Sequence, residues 1–154
     1  MKINTPICEL WLDADKVGLT SICFHPINEN KEANQSILFE AKKQLNEYFI
    51  GQRESFLLPL SIQKGTIFQQ KVWQALQEIP YGKIRTYKEI AETVASPKAV
   101  RAIGQANRMN PLPIVIPCHR VIGQNGHLTG YMGNTENGLF IKRQLLELEG
   151  YCQR

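Results

Sequence analysis

One cysteine and one histidine stand side by side in an apolar segment of the second half of the chain. Cys118 and His119 follow Pro117 within residues 114–123, IVIPCHRVIG. A cysteine is an effective nucleophile only as the thiolate, so near neutral pH it needs a neighbour that takes its proton. Adjacent side chains in an extended segment point to opposite faces, so a direct contact needs a turn, and otherwise a water lies between them. The dipeptide is also compatible with a small buried cysteine that ends a core strand.

Two further polar residues have types suited to supporting this cysteine. Asn110 precedes a proline, which restricts it to an extended or turn conformation, and its amide is suited to bracing the loop that carries Cys118 or to forming a structural turn. Glu149 lies at the end of a predicted helix, where a carboxylate is unfavourable unless it has an interior partner. A hydrogen bond to His119 would complete a relay of cysteine, water, histidine and glutamate, of the kind that hydrolases use.

Two helix start signals precede this segment. Thr86 and Glu89 have the spacing of a capping box, which predicts a helix that begins directly after Thr86. Ser96 followed by Pro97 repeats the signal and predicts a second helix that runs to about Arg108. Two short capped helices joined by a tight turn are typical of a helix-turn-helix.

The second of these helices has one side with little bulk. Val100 and Ile103 are expected to face the core, and Arg101 projects beside a row of small residues. That row comprises Ala99, Ala102 and Ala106. Such a face is able to approach a nucleic-acid groove closely, but alanines are also good helix formers and Arg101 alone also fits a solvated surface charge.

Composition limits the fold and the partners. The chain has 154 residues, of which 43% are hydrophobic and 21% charged, so it can bury one core or two small lobes and is not expected to be disordered. A net charge of +4 weakly favours a polyanionic partner. The sequence holds no run of 18 apolar residues, and Asp and Glu interrupt the apolar residues of residues 1–16, so we expect no membrane span and no signal peptide.

The four cysteines indicate neither a disulfide framework nor a zinc knuckle. Cys8, Cys23, Cys118 and Cys152 are far apart and none has C-x-x-C spacing. Cys23 and His25 lie on one face of a predicted strand, and with Cys8 they resemble a metal site, but we expect no metal. A reducing, cytoplasmic location is expected, because a nucleophilic thiol must stay reduced.

The chain divides into two predicted lobes. Residues 7–14 and 18–25 are predicted strands, and the apolar spacing of 37–49 predicts an amphipathic helix. An N-terminal α/β structural lobe of residues 1–63 is therefore expected to precede a second domain of residues 64–154 that contains the helix-turn-helix and the cysteine. Further predicted elements are an extended segment at 56–62, a helix from Phe68 to Ile79, and a turn at 80–82.

Several of these motifs together resemble one known family. The string PCHRV at 117–121 is preceded by Asn110 and followed by Gly-Tyr at 130–131 and Leu-Glu-Gly at 148–150. This pattern is similar to the active-site signature of the O6-alkylguanine-DNA alkyltransferases, strongly over about 65–150 and more weakly over 36–62. The resemblance implies a ribonuclease-H-like N-terminal lobe and a winged helix-turn-helix-like C-terminal lobe that carries the active cysteine.

The resemblance also implies an activity. Cys118 would accept an alkyl group, once and irreversibly, from O6-alkylguanine in double-stranded DNA, and from O4-alkylthymine as well. The helix of Arg101 and Ala102 would lie in the minor groove, with Arg101 replacing the extruded nucleotide in the base stack. Tyr87 would crowd the adjacent phosphate, reach the flipped base and help its departure, Tyr131 would line the guanine pocket, and Lys142 matches a basic residue of the last helix. No cofactor is implied, and a monomer is expected.

Three other functions are weighed against this one. An alkyltransferase-like lesion sensor binds damaged DNA without transfer, but such relatives replace the cysteine that this chain keeps. A plain helix-turn-helix module would leave Cys118, His119 and Glu149 without a purpose, and a cysteine hydrolase would not explain the helix of Arg101. For Arg120 we favour a structural pairing with a carboxylate that joins the two lobes. The loop at 132–138 departs from the family, because four polar residues separate its two glycines.

Overall fold

The structure is a computed structural model that describes residues 1–129 and 136–151. It divides into two units, Met1–Lys64 and Gly65–Arg154. No helix among the described residues is long and apolar enough to cross a membrane. Within the same residues, no three His, Cys, Asp or Glu side chains lie together as a possible metal site.

Alternating apolar residues build an antiparallel sheet in the first unit. Its strands, in spatial and sequence order, are β1 (Lys2–Asn4), β2 (Glu9–Ala14) and β3 (Leu19–Cys23). Leu10, Leu12 and Ala14 of β2 are buried and their neighbours are not, as a sheet with one covered face requires. Both predicted strands are confirmed with shorter bounds. Strand β1 was not predicted, because three residues are too few to show an alternation.

One amphipathic helix covers this sheet. Helix α1 (Gln35–Phe49) begins at Asn34, whose side-chain oxygen accepts a hydrogen bond from the backbone N–H of Ile37 at 3.2 Å. Gly51 follows its C-cap residue, with φ +78°, a conformation in which a side chain would be strained. The buried side chains of α1 are Leu38, Ala41, Gln44, Leu45, Tyr48 and Phe49. The predicted helix and its glycine cap are confirmed.

The second unit starts with a capped helix that anchors the unit's core. Helix α2 (Ile67–Gln77) has a capping box formed by Thr66 and Gln69. Trp73, 1% exposed, packs in the core, and its indole N–H donates a 2.8 Å hydrogen bond to the carbonyl of Ala106. This bond fixes α2 against a later helix of the same unit.

The helix-turn-helix consists of two short helices, the first of which begins as predicted. Strand β4 (Arg85–Thr86) leads into α3 (Tyr87–Thr93), and the capping box of Thr86 and Glu89 is present with both hydrogen bonds at 3.1 Å. Tyr87 is therefore the first residue of α3. The capping box fixes the backbone of Tyr87, and with it the position from which its side chain projects.

The second helix starts later than predicted. Helix α4 is Val100–Arg108, and its first turn has no side-chain cap. The carbonyl of Ser96 instead accepts a 2.9 Å bond from the N–H of Ala99, so Ser96 closes a separate turn before the helix. Ala95 precedes this turn with φ +60°, in the left-handed region. The residues that the Ser96-Pro97 signal assigned to the first helical turn therefore form this separate turn instead.

The faces of α4 also differ in part from the prediction. Ile103 is buried as expected, but Val100 is 42% exposed and Ala106 is fully buried. Arg101 and Ala102 are exposed. Ala106 lies one turn after Ile103 and contacts the Trp73 indole through its carbonyl, so the core side of α4 is the Ile103 and Ala106 side.

The cysteine segment completes the unit. A 3₁₀ helix (Cys118–Arg120) runs directly into β5 (Val121–Ile122), which pairs in parallel with β4. Helix α5 (Glu136–Leu148) follows and is terminated by Gly150, where φ is +93°. Helices α3 and α4, together with the two-stranded sheet of β4 and β5, form the predicted winged helix-turn-helix-like arrangement. The mixed α/β fold class is confirmed.

Candidate active site

The loop that delivers the cysteine is held from inside by one amide. The side-chain N–H of Asn110 donates to the carbonyl of Ile116 at 2.9 Å, and its oxygen accepts from the N–H of Leu112 at 2.9 Å. Both bonds cross the loop that precedes Cys118, which is the bracing geometry that the sequence suggested for Asn110. The apolar side chains Leu112 and Ile116 are buried beneath it.

The same loop contains a strained residue. Ile114 has φ +76° and is 1% exposed. A β-branched side chain in the left-handed region costs on the order of 1–3 kcal/mol and persists only where surrounding contacts over-determine it. Burial of the Ile114 side chain and the two Asn110 bonds supply those contacts. The backbone before Cys118 is therefore held in one conformation.

Cys118 is buried, with 4% of its surface exposed, at the start of the 3₁₀ helix. Burial raises the pKa of its thiol; the Asn110 side chain and the positive charge of Lys142 lower it but do not offset the burial. The thiol is consequently protonated at neutral pH. A separate group has to remove its proton before it can act as a nucleophile.

His119 is fully buried and bonded to Glu149, with 2.7 Å between Nε2 and Oε2. Because a carboxylate only accepts, Nε2 carries the proton and Nδ1 is left with a free lone pair. Burial lowers the pKa of His119, although the carboxylate acts in the opposite direction. Among the described residues, Nδ1 is buried without a hydrogen-bond partner, and no hydrogen bond joins it to the Cys118 thiol. His119 is thus a neutral imidazole with an available basic nitrogen.

Arg120 is the second side chain that donates hydrogen bonds to the Glu149 carboxylate. Its Nε and Nη2 donate to the two carboxylate oxygens at 2.8 and 3.0 Å, and its Nη1 donates to the carbonyl of Ile79 at 2.6 Å. The guanidinium also lies over the Tyr81 ring, 5.8 Å from its centre. The expected structural pairing with a carboxylate is present. Glu149 belongs to the same unit as Arg120, however, so this pair does not have the lobe-joining role that we expected.

Tyr87 and Lys142 converge on one backbone carbonyl. The Tyr87 hydroxyl donates to the carbonyl of Thr129 at 2.8 Å, and the Lys142 ammonium donates to the same oxygen at 2.6 Å. The ammonium lies 5.7 Å from the centre of the Tyr87 ring. Sequence reasoning selected both side chains but not the exposed Thr129, which contributes only its backbone and so leaves no signal in a sequence.

Burial changes the acidity of both groups. Lys142 is 1% exposed, and burial lowers its pKa from 10.5 to about 8, against a smaller opposite effect of Cys118. Burial also raises the pKa of Tyr87, which the negative charge of a Cys118 thiolate would raise further. Both side chains are therefore electrostatically coupled to Cys118.

The remaining predicted residues fall into two groups. Arg101 and Ala102 lie on the exposed side of α4. Tyr131 lies outside the described residues, as does most of the loop at 132–138. Asn107 is a buried polar residue of α4 that the sequence did not single out. It lies at the boundary between the core side and the exposed side of the helix, where the apolar spacing does not show that a residue is buried.

Two family models match the two halves of the chain. The DNA-binding domain of 6-O-methylguanine DNA methyltransferase matches residues 67–151, and the ribonuclease-like domain of the same family matches residues 1–62. The chain is thus in a class of two-domain proteins that combine a ribonuclease-like domain with a DNA-binding domain. It belongs to the 6-O-methylguanine DNA methyltransferase family, as the motifs around Cys118 implied.

Curated relatives and solved structures agree with this assignment. The chain is 47% identical to a methylated-DNA–protein-cysteine methyltransferase of Methanosarcina acetivorans, over 97% of this chain and 96% of that protein. It is 61% identical to the constitutive enzyme of that name from Bacillus subtilis, over 79% of this chain and 70% of that protein. The crystal structure of Mycobacterium tuberculosis OGT in complex with DNA superimposes with a TM-score of 0.84 at 43% identity, covering 96% of this chain and 90% of that one.

Proposed function

We propose that the protein repairs double-stranded DNA by transferring the alkyl group of O6-alkylguanine to the sulfur of Cys118. The observation that carries this proposal is the buried Cys118 thiol, which is followed in the chain by the His119 imidazole, whose Nε2 is hydrogen-bonded to Glu149. In the reaction a sulfur–carbon bond forms as the bond between that carbon and O6 breaks, and the electron pair of the broken bond stays with the guanine. O4-alkylthymine is proposed as a second substrate, because its reacting group is the same alkyl ether.

His119 is proposed to accept the thiol proton. Its Nδ1 is the nitrogen without a partner, and a bridging water would carry the proton from Cys118 to that atom. The resulting imidazolium would be stabilised by the Glu149 carboxylate 2.7 Å away from Nε2. Arg120 holds that carboxylate in place, since it donates to both of its oxygens.

Tyr87 is proposed to stabilise the leaving base. Loss of the alkyl group leaves a negative charge on guanine, and a phenol whose pKa is raised by burial is a proton or hydrogen-bond donor at neutral pH. The Lys142 ammonium, 5.7 Å from the Tyr87 ring, adds a positive charge beside both the thiolate and the departing base. We place Asn110 as the residue that positions the cysteine loop.

The protein is proposed to act once. The product is a thioether, which has no labile bond for water to cleave, and the sequence suggests no route by which the Cys118 thiol would be regenerated. We further propose that the protein works as a monomer without a cofactor in a reducing compartment, the cytoplasm, where its thiol stays available.

DNA is proposed to meet the exposed side of α4. Ala102 lets the backbone come close to the minor groove, and Arg101 would occupy the space that the extruded nucleotide leaves. Flipping a base costs a few kcal/mol, and less when an O6-alkyl group has already weakened its pairing. Tyr131 is proposed to line the pocket that receives the base.

One labelling experiment tests the function. The protein is incubated with duplex DNA that carries a single O6-[³H-methyl]guanine, and the radioactivity in protein, DNA and solution is followed with time. We expect one methyl group per chain, mapped by mass spectrometry to the peptide that contains Cys118. Label that stays on the DNA would instead indicate a lesion sensor or a plain DNA-binding module, and label that is released to solution would indicate a hydrolase.

A second measurement tests the role of Arg101. Arg101→Ala is expected to slow transfer from duplex DNA by at least tenfold while it leaves the reaction with free O6-benzylguanine unchanged, because the free base needs no flipping. Tyr87→Phe is expected to slow both reactions, because the phenol acts on the base itself. Equal slowing of both substrates by Arg101→Ala would show that this residue has another role.

A further inference from the structure

A short turn after α2 lies against the end of α5. Residues 79–82 follow Glu78, the C-cap residue of α2, and the backbone N–H of Lys83 donates to the carbonyl of Pro80 at 3.1 Å. Sequence patterns predicted a turn at 80–82 but no contact with Glu149. In the structure, hydrogen bonds from this turn reach both Leu148 and Glu149.

The Glu149 carboxylate accepts hydrogen bonds on both oxygens. Its Oε2 accepts from His119 Nε2 at 2.7 Å and from Arg120 Nη2 at 3.0 Å. Its Oε1 accepts from Arg120 Nε at 2.8 Å and from the backbone N–H of Gly82 at 3.4 Å. A carboxylate rotates easily about its last bond, and donors on both oxygens oppose that rotation. The Gly82 N–H therefore helps to fix the orientation in which Oε2 meets His119.

Gly82 allows the turn to come this close. Its φ is +76°, in the left-handed region that glycine adopts without strain. A Cβ added at this position would lie 3.2 Å from the backbone carbonyl oxygen of Glu149, which is closer than an ordinary van der Waals contact. Both the conformation and the available space therefore favour a residue without a side chain beside Glu149.

Tyr81 contacts the two neighbours of the carboxylate. The guanidinium of Arg120 lies 5.8 Å from the centre of the Tyr81 ring, and the Tyr81 hydroxyl donates to the carbonyl of Leu148 at 3.3 Å. At the start of the same turn, the carbonyl of Ile79 accepts from Arg120 Nη1 at 2.6 Å. The turn thus holds the arginine that donates to Glu149 and also the backbone that carries Glu149.

The charged groups that act on His119 come from other elements. Burial has the largest effect on the pKa of His119 and lowers it, Glu149 raises it, and the charges of Arg120 and Lys142 lower it. Among these influences, Glu149 alone favours the protonated imidazole. The turn contributes an aromatic ring and a backbone N–H, which act on where the carboxylate lies. The position of Glu149 therefore bears directly on how readily His119 takes a proton.

We propose that the turn of residues 79–82 positions the Glu149 carboxylate for proton acceptance by His119, with Gly82 and Tyr81 as positioning residues of the reaction. The inference rests on the proposed function and adds to it two residues that act through Glu149 and not on the substrate. A change at either residue reaches Cys118 through the His119 imidazole. Its signature is consequently a shift in the pH dependence of the thiol's reactions.

The first test adds one methyl group to the turn. Alkylation of Cys118 by iodoacetamide and by free O6-benzylguanine is measured from pH 6 to pH 10, by the mass of the peptide that contains Cys118. Gly82→Ala is expected to move both rate profiles to alkaline pH by about half a unit to one unit, which is about three- to tenfold slower reaction at pH 7. Gly51→Ala is the matched control, because φ is +78° there and nothing lies within 4 Å of the added Cβ. It is expected to keep the wild-type profiles.

Variants of Tyr81 test the other contact. Tyr81→Leu removes both the ring and the hydroxyl and is expected to shift the profiles in the same direction as Gly82→Ala. Tyr81→Phe keeps the ring beside Arg120 and is expected to lie closer to wild type than Tyr81→Leu, and it carries the comparison if either of the other variants fails to fold. Rates that fall equally at every pH would show a structural effect and would overturn the inference, as would wild-type profiles in the folded variants.

A double variant tests whether the turn acts through the carboxylate. In a Glu149→Gln background the charge that the turn positions is gone, so Gly82→Ala is expected to add no further shift. A full additional shift in that background would overturn the inference. The iodoacetamide reaction needs no alkylated base and therefore separates this inference from the proposed function. A wild type that takes up no benzyl group would refute the proposed function, whereas shifted iodoacetamide profiles would still support the positioning role.

Discussion

At the residue scale, burial acts on Cys118 and His119 in opposite directions. It raises the pKa of the thiol and lowers the pKa of the imidazole, so the resting pair is a neutral thiol and a neutral base. Each shift makes the thiolate and imidazolium pair harder to form. The Glu149 carboxylate opposes the shift of the imidazole pKa, whereas the positive charge of Lys142 opposes the shift of the thiol pKa and adds to that of the imidazole. These two charges therefore help to set how much thiolate is present at neutral pH.

The first prediction concerns Glu149. Glu149→Gln removes the charge that stabilises the imidazolium, so the proton leaves the thiol less readily and the apparent pKa of Cys118 rises. The plot of transfer rate against pH is expected to move to alkaline values, with about tenfold slower transfer per pKa unit at neutral pH. Rates are measured with free O6-benzylguanine from pH 6 to pH 10, so that DNA binding does not contribute.

The control for this variant lies two residues earlier. Glu147 is exposed at the end of the same helix, and Glu147→Gln is expected to keep the wild-type profile. Glu149→Gln also leaves the buried guanidinium of Arg120 without its ionic partner, a loss worth about 3–5 kcal/mol in buried pairs, so its fold is checked by circular dichroism at each pH. An unchanged pH profile in the folded variant would remove the relay from the mechanism.

The second prediction concerns Lys142. Its pKa of about 8 in the folded chain is below the value of about 10.4 for an unfolded lysine. Below pH 8 both states hold the proton and the folded state bears the full penalty of a buried charge. Between pH 8 and pH 10.4 only the unfolded chain holds it, so the free energy of unfolding rises with pH, by on the order of 3 kcal/mol.

Lys142→Met is expected to abolish this rise. Urea unfolding is measured at pH 7 and pH 10, in a Cys118→Ala background so that ionisation of the thiol does not contribute. Arg143→Met, at the exposed neighbouring position, is expected to retain the wild-type rise. An equal pH dependence in Lys142→Met and its parent would show that the Lys142 charge is not buried.

The functional residues around the cysteine could be predicted because their side-chain types alone identify a base and a carboxylate. His119 and Glu149 were selected as base and carboxylate, and the structure brings them to 2.7 Å. Asn107 and the Thr129 carbonyl could not be predicted. The first is an ordinary helix residue until its neighbours are known, and the second acts through a backbone atom that every residue has.

At the element scale, local signals predicted those helices whose ends are set by their own side chains. The capping box of Thr86 and the glycine cap at Gly51 were identified correctly, because each needs only a few adjacent residues. The start of α4 was placed three residues early, because a turn closed by Ser96 used the same residues as the expected cap. The left-handed conformation of Ile114 is imposed by packing and has no signature in its residue type.

The third prediction compares the two cap signals. Thr86→Ala removes the side-chain bond to the N–H of Glu89 and is expected to cost about 1 kcal/mol of unfolding free energy. It is also expected to slow alkyl transfer, because Tyr87 is the first residue of the helix that frays. Ser96→Ala, which removes no observed cap of α4, is expected to cost a few tenths of a kcal/mol at most.

Urea unfolding of both variants measures this difference. Thr93→Ala is a further control. The Thr93 residue lies at the other end of α3, and its hydroxyl donates to the Glu89 carbonyl and plays no part in the cap. Equal losses for Thr86→Ala and Ser96→Ala would contradict the distinction between a closed capping box and an uncapped start.

At the scale of the whole molecule, the residues proposed for DNA binding and those proposed for chemistry lie in different parts of the second unit. Arg101 and Ala102 are exposed on α4, whereas Cys118, His119 and Glu149 are almost fully buried. Because the net charge is only +4 over 154 residues, we expect the protein to neutralise few phosphates when it binds DNA. Affinity for DNA should therefore depend on α4 and on the flipped base more than on a large basic surface.

The last prediction tests this separation. Cys118→Ala removes the nucleophile but neither the exposed side of α4 nor the groups that face the base, so it is expected to abolish transfer and to keep the wild-type affinity for duplex DNA with one O6-methylguanine within about threefold. Affinity is measured by fluorescence anisotropy at salt concentrations from 50 to 300 mM. Since few phosphates are contacted, the slope of log affinity against log salt is expected to be shallower than about −5. Loss of binding in a folded Cys118→Ala protein would mean that the thiol itself holds the base, and a much steeper slope would mean that an extensive basic surface, rather than α4 and the extruded base, provides the affinity.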